Sequence, residues 1–295
     1  MKENSSVRYL IVTVFNIIIT VAEFIGGFMS GSLALISDAV HNLSDVGSII
    51  LAFIANLIAR RQKNTRKTFG YERAETLAAF TNGIILIVIS IYLFIEAIQR
   101  FSNPEPIQGK IMFIVSLIGL AGNVISMLVM MIDTKGSLNA RALFLNMASD
   151  ALSSIAVVVG SIVISIWNIT IIDPILTLLA SVLLLWEAIK VTMKAANILM
   201  EGNPDIDLNK VNAILTSFAE VKNVHHVHVW QYSDDIIMLD AHINVSKSMQ
   251  IEEIETLYGQ IEKKLKKELG IRHVTLQAEC ERGKNEKMIV PGKND

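Results

Sequence analysis

The sequence predicts an all-α bundle of six membrane-spanning helices followed by a small α+β domain of order α-β-β-α-β. Three observations predict it. The chain of 295 residues is 52% hydrophobic and only 18% charged, with a mean hydropathy of +0.48, too apolar for an ordinary soluble protein of this size. Six stretches reach the roughly 20 apolar residues that a helix needs to cross a bilayer. Beyond Glu201 those stretches stop, and shorter segments with strand and amphipathic-helix periodicity replace them.

The spans fall at 10–29, 33–58, 77–98, 111–131, 142–166 and 172–194. The first is too long for a signal-peptide core and lacks a cleavage site, so it reads as a retained span. It holds Glu23, which should face protein because a carboxylate facing lipid is costly. The Lys/Arg bias sets direction. Arg60, Arg61, Lys63, Arg66, Lys67 and Arg73 crowd the loop after span two, Lys135 and Arg141 follow span four, and Lys190 and Lys194 end span six. The turn at Gly31 and the stretch 167–170 carry no charge, and only the loop with Arg100 and Lys110, partly offset by Glu105, runs against the trend. Both termini are therefore expected in the cytoplasm, with a transmembrane domain over 1–200.

Gly202, Asn203 and Pro204 break the chain. A helix over 208–219 follows, with Val211, Ile214, Leu215 and Phe218 as its apolar stripe. Strands over 224–232 and 236–245 are separated by the turn-like Ser233, Asp234 and Asp235. A helix over 251–269 ends at Gly270, and a third strand runs over 271–279. The second domain thus covers 201–281, and the polar residues 282–295 read as a disordered tail.

Two apolar spans carry matching polar clusters. In span two, Asp38, His41 and Asp45 are spaced three and four apart and share one helix face, and in span five Asn146 and Asp150 do the same. The two spans run in opposite directions, so packing them together can gather His41, Asp45, Asn146 and Asp150 at mid-depth. That set offers one nitrogen, two carboxylates and an amide oxygen, a tetrahedral site for a divalent transition metal. The carboxylates cancel the ion's charge, and without metal they must be neutralised by protons, so metal and proton binding are coupled. Asp38 lines the path, supports the ligands from behind, or pairs with a neighbouring span, and Asn146 also suits plain helix–helix hydrogen bonding. Asp173, at the start of span six, fits an interface or cap residue.

Five of the six histidines, His225, His226, His228, His242 and His273, lie on or beside the predicted strands. Alternation puts His226 and His228 on one face and His225 on the other. A cluster there could bind a regulatory metal, although a packed, hydrogen-bonded His228 beside Trp230 is equally ordinary. Other classes are excluded by composition. Residues 1–200 hold 14 basic and 12 acidic side chains and the rest 12 and 16, net +2 and −4, which gives no basic surface for nucleic acid. Cys280 is the only cysteine, so neither an internal disulfide nor a thiolate-rich site can form. The His-Glu-x-x-His signature of an intramembrane metalloprotease is missing, and no enzymatic activity is expected. A metal-sensing membrane protein that moves no ion remains a competing class, as does a passive channel.

The runs 37–45 (Ser-Asp-Ala-Val-His-Asn-Leu-Ser-Asp), 69–73 (Phe-Gly-Tyr-Glu-Arg) and 150–154 (Asp-Ala-Leu-Ser-Ser), with Asp173-Pro174 and Val227-His228-Val229-Trp230, resemble the cation diffusion facilitator family in its bacterial zinc, cobalt and cadmium efflux branch. The resemblance spans nearly the whole chain. It implies a metallochaperone-like cytoplasmic domain, a homodimer, a multi-pass position in the inner (plasma) membrane and exchange of cytoplasmic divalent metal for protons. Zinc is implied as transported substrate and as a possible regulatory ligand, with no resident cofactor; cobalt, cadmium, manganese and iron(II) are the alternative cargoes. The family's transport site maps onto His41, Asp45, Asn146 and Asp150. Zinc exporters of this kind commonly place histidine where this chain has Asn146, while manganese members usually place aspartate where it has His41. The family's cytoplasmic sites resemble His225 and His242, completed near Gln277 and Glu279, with His273 a further candidate.

Overall fold

A computed structural model describes residues 2–131, 138–233 and 236–289; the side chains of 2–12, 52, 130, 138–143 and 146 lie outside that description. Six long helices come first: α1 (Lys2–Ser30), α2 (Leu33–Ala59), α3 (Arg73–Ser102), α4 (Gly109–Met131), α5 (Leu138–Trp167) and α6 (Ile172–Leu199). Each contains a window long and apolar enough to cross a membrane. They extend the sequence-predicted spans by a turn or more at several ends, because a helix continues past the apolar core into polar residues. The second half holds α7 (Leu208–Leu215), β1 (Asn223–Ser233), β2 (Ile236–Asn244), α8 (Ile251–Leu269) and β3 (Ile271–Glu279), the predicted α-β-β-α-β order. Residue contacts divide the chain into two compact units, Met1–Phe53 with Thr81–Thr192 and Ile54–Phe80 with Met193–Asp295.

In the first unit, α4 packs between α1 and α5. Its contact with α1 is close because Gly119 and Gly122 face Glu23 and Ile19, and a Cβ at either glycine would overlap those side chains. Small residues at such a seam let two membrane helices approach. Leu35, Met112, Val157 and Ile164, from α2, α4 and α5, form a buried apolar cluster against Ile172 and Leu176 of α6. Large apolar side chains such as Phe28, Leu152 and Trp186 point outward, as lipid-facing surface does. Glu23 faces protein as expected and accepts a 2.7 Å hydrogen bond from the Asn42 amide.

One end of this unit is tied by Asp173. Its carboxylate accepts from Ser32 Oγ at 2.5 Å, from the Leu33 N–H at 2.9 Å and from the Ala34 N–H at 3.1 Å. A residue of α6 therefore satisfies the first two free N–H groups of α2, while Ser32 Oγ caps the third, accepting from the Leu35 N–H at 3.1 Å. Arg100 of α3 sits 3.9 Å away and donates to the Gly31 carbonyl at 2.5 Å.

In the second unit the sheet order is β1-β2-β3, with β1 and β2 antiparallel and β2 and β3 parallel. Val211, Leu215, Leu239, Ile243, Leu257, Ile261 and Leu265 pack as its core between the helices and one sheet face. Helix α8 stops where Gly270 takes φ 70°, with Lys266 and Lys267 in its last turn favourable to the helix dipole. Helix α7 ends at Leu215 rather than 219. The Thr216 and Ser217 hydroxyls bond to the Asn212 and Ile214 carbonyls, and such side-chain competition interrupts the helix while Phe218 still packs on the core. Residues 282–289 are not the disordered tail that their polarity suggests. Asn244 Nδ2 donates to the Arg282 carbonyl at 2.8 Å, the Val227 N–H to the Met288 carbonyl at 2.9 Å, and Met288 packs on the core. This segment covers β1, an edge strand whose backbone groups would otherwise lack partners. Residues 290–295 lie outside the described residues, as do Asp234 and Asp235.

Candidate metal centres

The first centre lies between α2 and α5. Helical spacing brings Asp38, His41 and Asp45 to one side of α2, and α5 supplies Asp150 opposite. His41 Nε2 is 2.9 Å from Asp150 Oδ1, and ligand atoms of His41, Asp45 and Asp150 all lie within 4.8 Å of one another. That spacing suits groups that could close on one ion: an imidazole nitrogen and two carboxylate oxygens. The Asn146 side chain, the fourth ligand expected from sequence, lies outside the described residues. A cavity of about 70 Å³ adjoins the cluster, lined by Asp38, His41, Asp150, Ser149 and Glu187 among others. It has room for an ion with several waters, at roughly 10–15 Å³ per water.

Asp38 is not among the clustered ligands. Its two oxygens accept from Ser153 Oγ at 3.1 Å and Ser154 Oγ at 3.2 Å, and Ser154 in turn accepts from Asn123 Nδ2 at 2.9 Å. This chain links α2, α5 and α4 behind the cluster. Sequence reading did not single out Glu187, Ser149 or Asn123. A carboxylate inside an apolar span was the available signal for Glu187; Ser149 lies in the polar run that ends at Asp150, and Asn123 is an amide inside span four.

The second centre lies on the sheet face that the helices leave open. His225 of β1, His242 of β2 and Glu279 of β3 converge, with His225 Nε2 at 3.2 Å and His242 Nδ1 at 3.3 Å from the Glu279 carboxylate. Burial pushes His242 below the ordinary imidazole value, His226, His225 and Arg282 push the same way, and Glu279 only partly offsets them. A neutral ring suits metal ligation. Burial by itself would raise Glu279, but the Gln277 amide at 2.7 Å, both histidines and Arg282 outweigh it and hold the carboxyl below its ordinary value. Gln277 thus stands beside the cluster, with its amide nitrogen donating to the Glu279 carboxylate. His273 is exposed, and its place on β3 is six residues from Glu279, about 20 Å along an extended strand; it is not part of the centre.

Strict alternation misplaces His225. In β1 the pairing runs His225 with His242 and then His228 with Asp240, one extra residue on β1, and His226 takes φ 52°. This β-bulge leaves two residues, not one, between the core-facing Val224 and Val227. His225 thus stays with the exposed histidines, and the His226 ring lies 4.7 Å from that of His242 and 4.8 Å from that of His228.

His225 is only 1% exposed because residue 283 lies against its ring. That residue is glycine with φ 65°, and a Cβ there would overlap the imidazole. Gly283→Val is expected to lift the segment, since a β-branched residue is strained at positive φ. Hydrogen exchange of the Val227 amide, which the Met288 carbonyl accepts, should quicken at least about ten-fold, with the Leu239 amide of β2 unchanged. Equal protection in both proteins contradicts this account of the glycine.

Comparison with known proteins agrees with both halves. A family model described as the cation efflux transmembrane domain matches residues 9–200, and one described as the cation efflux protein, cytoplasmic domain, matches 203–281. The chain is 37% identical over 287 residues to a cadmium, cobalt and zinc/H(+)-K(+) antiporter of Bacillus subtilis (strain 168), covering 96% of this chain and 91% of that protein. It is 35% identical over 260 residues to zinc transporter ZitB of Escherichia coli (strain K12), covering 87% and 82%. It is also 35% identical over 260 residues to metal cation efflux system protein CzcD of Cupriavidus metallidurans (strain ATCC 43123 / DSM 2839 / NBRC 102507 / CH34), covering 88% and 82%. With six spans, a sheet domain and two histidine–carboxylate clusters, the chain belongs to the cation diffusion facilitator family of divalent-metal antiporters, in its bacterial zinc, cobalt and cadmium efflux branch, and is a transporter rather than an enzyme.

Proposed function

We propose that the protein exports zinc from the cytoplasm in exchange for protons. The observation that carries this reading is the convergence of His41, Asp45 and Asp150 between two membrane helices, with Asn146 assigned as fourth ligand from its place one turn before Asp150. Zinc enters from the cytoplasmic side and meets an imidazole and two carboxylates. These must shed protons to ligate, and the bundle then opens to the far side, where returning protons displace the ion. Asp38 steadies the site from behind through Ser153 and Ser154. Residues 1–200 form the transport domain. Residues 201–281 form a cytoplasmic domain in which His225, His242 and Glu279 hold a regulatory zinc that favours the transporting state. The working unit is a homodimer in the inner membrane with both termini cytoplasmic.

Asn146 bears on the cargo. An amide oxygen is a harder and weaker zinc ligand than imidazole and carries no proton to exchange. The second reading is the same transporter with cobalt, cadmium, manganese or iron(II) as main cargo: oxygen-rich sites suit manganese and cobalt better, and cobalt and cadmium appear in the names of relatives.

Metal flux into proteoliposomes, with Zn²⁺, Co²⁺, Cd²⁺, Mn²⁺ and Fe²⁺ and with internal pH recorded, tests both readings. Zinc uptake with opposite proton movement is expected. Uptake that proceeds without proton movement would indicate a channel, and manganese uptake without zinc uptake would refute the zinc assignment. Asn146→His should shift the preference toward zinc over cobalt by roughly ten-fold; an unchanged metal profile removes residue 146 from the site.

A further inference from the structure

The second compact unit holds a cavity of about 330 Å³ that neither metal centre uses, lined by Arg66, Lys67, Arg73, Glu201, Trp230 and Met238 among others. We propose that this cavity binds the phosphodiester headgroup of an anionic phospholipid.

Charge is the first argument. Three cations face one carboxylate, and that carboxylate is taken: Arg73 Nη2 lies 3.1 Å from Glu201 Oε1. The Arg73 guanidinium is also held over the Tyr232 ring, 5.2 Å from its centroid. Arg66 and Lys67 have no acidic partner among the described residues. An unbalanced Arg–Lys pair beside an anchored Arg suits a phosphate: a guanidinium binds its oxygens in a fork and the lysine adds a point charge.

The cations stand on a built loop. Asn64 Oδ1 accepts from the backbone N–H groups of Arg66 and Lys67 at 2.9 and 3.0 Å, and Asn64 and Lys67 exchange two backbone bonds. The Tyr232 hydroxyl donates to the Phe69 carbonyl at 2.9 Å, with the two rings 5.6 Å apart. Ordering the loop in advance lowers the entropy lost on binding.

Location selects the lipid over free phosphate. Arg66 and Lys67 lie between the end of α2 at Ala59 and the start of α3 at Arg73, and Glu201 lies just past the end of α6 at Leu199. The start of α3 and the end of α6 thus lie at the cavity, and the ends of membrane spans are where headgroups are met. Trp230, Met238 and Phe69 give it apolar wall as well as charge, as a headgroup with its glycerol requires and an inorganic ion does not.

Native mass spectrometry of the full-length protein with phosphatidylglycerol and phosphatidylcholine tests this. Phosphatidylglycerol should stay bound preferentially. Arg66→Gln/Lys67→Gln should weaken it by about 25-fold, near five-fold per cation, and Arg66→Lys/Lys67→Arg should retain it. Lys263→Gln/Lys267→Gln removes the same charge from the exposed side of α8 and should have no effect. An equal loss in that control means a diffuse charge effect and overturns the site. Binding of millimolar inorganic phosphate that depends on Arg66 and Lys67, without preference for the anionic lipid, overturns the lipid. Unchanged lipid binding with a lost dimer in the Gln/Gln variant assigns the loop to a second copy's acidic domain and also overturns it.

Discussion

Asp150→Ala is expected to lower metal flux into proteoliposomes by at least about 100-fold, the scale set by breaking one partner of a buried, hydrogen-bonded charge pair. Two losses coincide. On the proposed assignment the site gives up one of its two carboxylates, leaving His41, Asp45 and Asn146 to hold a divalent ion. His41 also loses the 2.9 Å contact that orients its Nε2 toward the cluster. Asp38→Asn separates the roles. Its amide oxygen can still accept from Ser153 or Ser154, so a positioning residue should cost flux less than a ligand does. Both fluxes are normalised to protein in the vesicles. Wild-type transport by Asp150→Ala would remove the α2–α5 cluster from the transport path.

The second large effect concerns stability. Asp173→Ala should destabilise the helical unit by at least about 3 kcal/mol, since it strips three buried donors of their acceptor at roughly 1–3 kcal/mol each. The donors are Ser32 Oγ and the N–H groups of Leu33 and Ala34. Arg100 keeps Glu105 at 2.8 Å, so the loss falls mainly on the start of α2. Asp173→Asn preserves one acceptor oxygen and should fall between wild type and alanine. Thermal unfolding in detergent reads the order, and an unshifted midpoint for the alanine variant contradicts the cap.

Much of this architecture is readable from residue order because lipid makes strong demands. Apolar windows of the right length show as helices, and His41 with Asp45 and Asp150 stand out because ionisable groups inside them are rare. Where the reading fails, local rules meet tertiary ones. Alternation in β1 assumes one residue per step, and the bulge at His226 breaks that assumption without any glycine to announce it. Residues 282–289 look like solvent-exposed chain, yet they satisfy β1 through backbone bonds, which carry no side-chain signature. Gln277 and His273 look like ligands by type; only the strand register separates a residue two positions from Glu279 on the same face from one six positions away.

The Asp173 knot bears on how the bundle can move. It fastens the start of α2 to α6, while Arg100 joins α3 to the Gly31 turn. When the Asn42–Glu23 and Asp38–serine bonds near its middle release, α2 pivots as a lever with its fulcrum at that fastened start. At 1.5 Å per residue, His41 lies about 12 Å from Leu33 and Phe53 about 30 Å. A tilt of about 10° around that fulcrum carries His41 roughly 2 Å and Phe53 roughly 5 Å. The ligands would change their spacing by about one coordination distance while the far end of the helix swings wide, so a small rearrangement at the ion is geared to a large opening elsewhere.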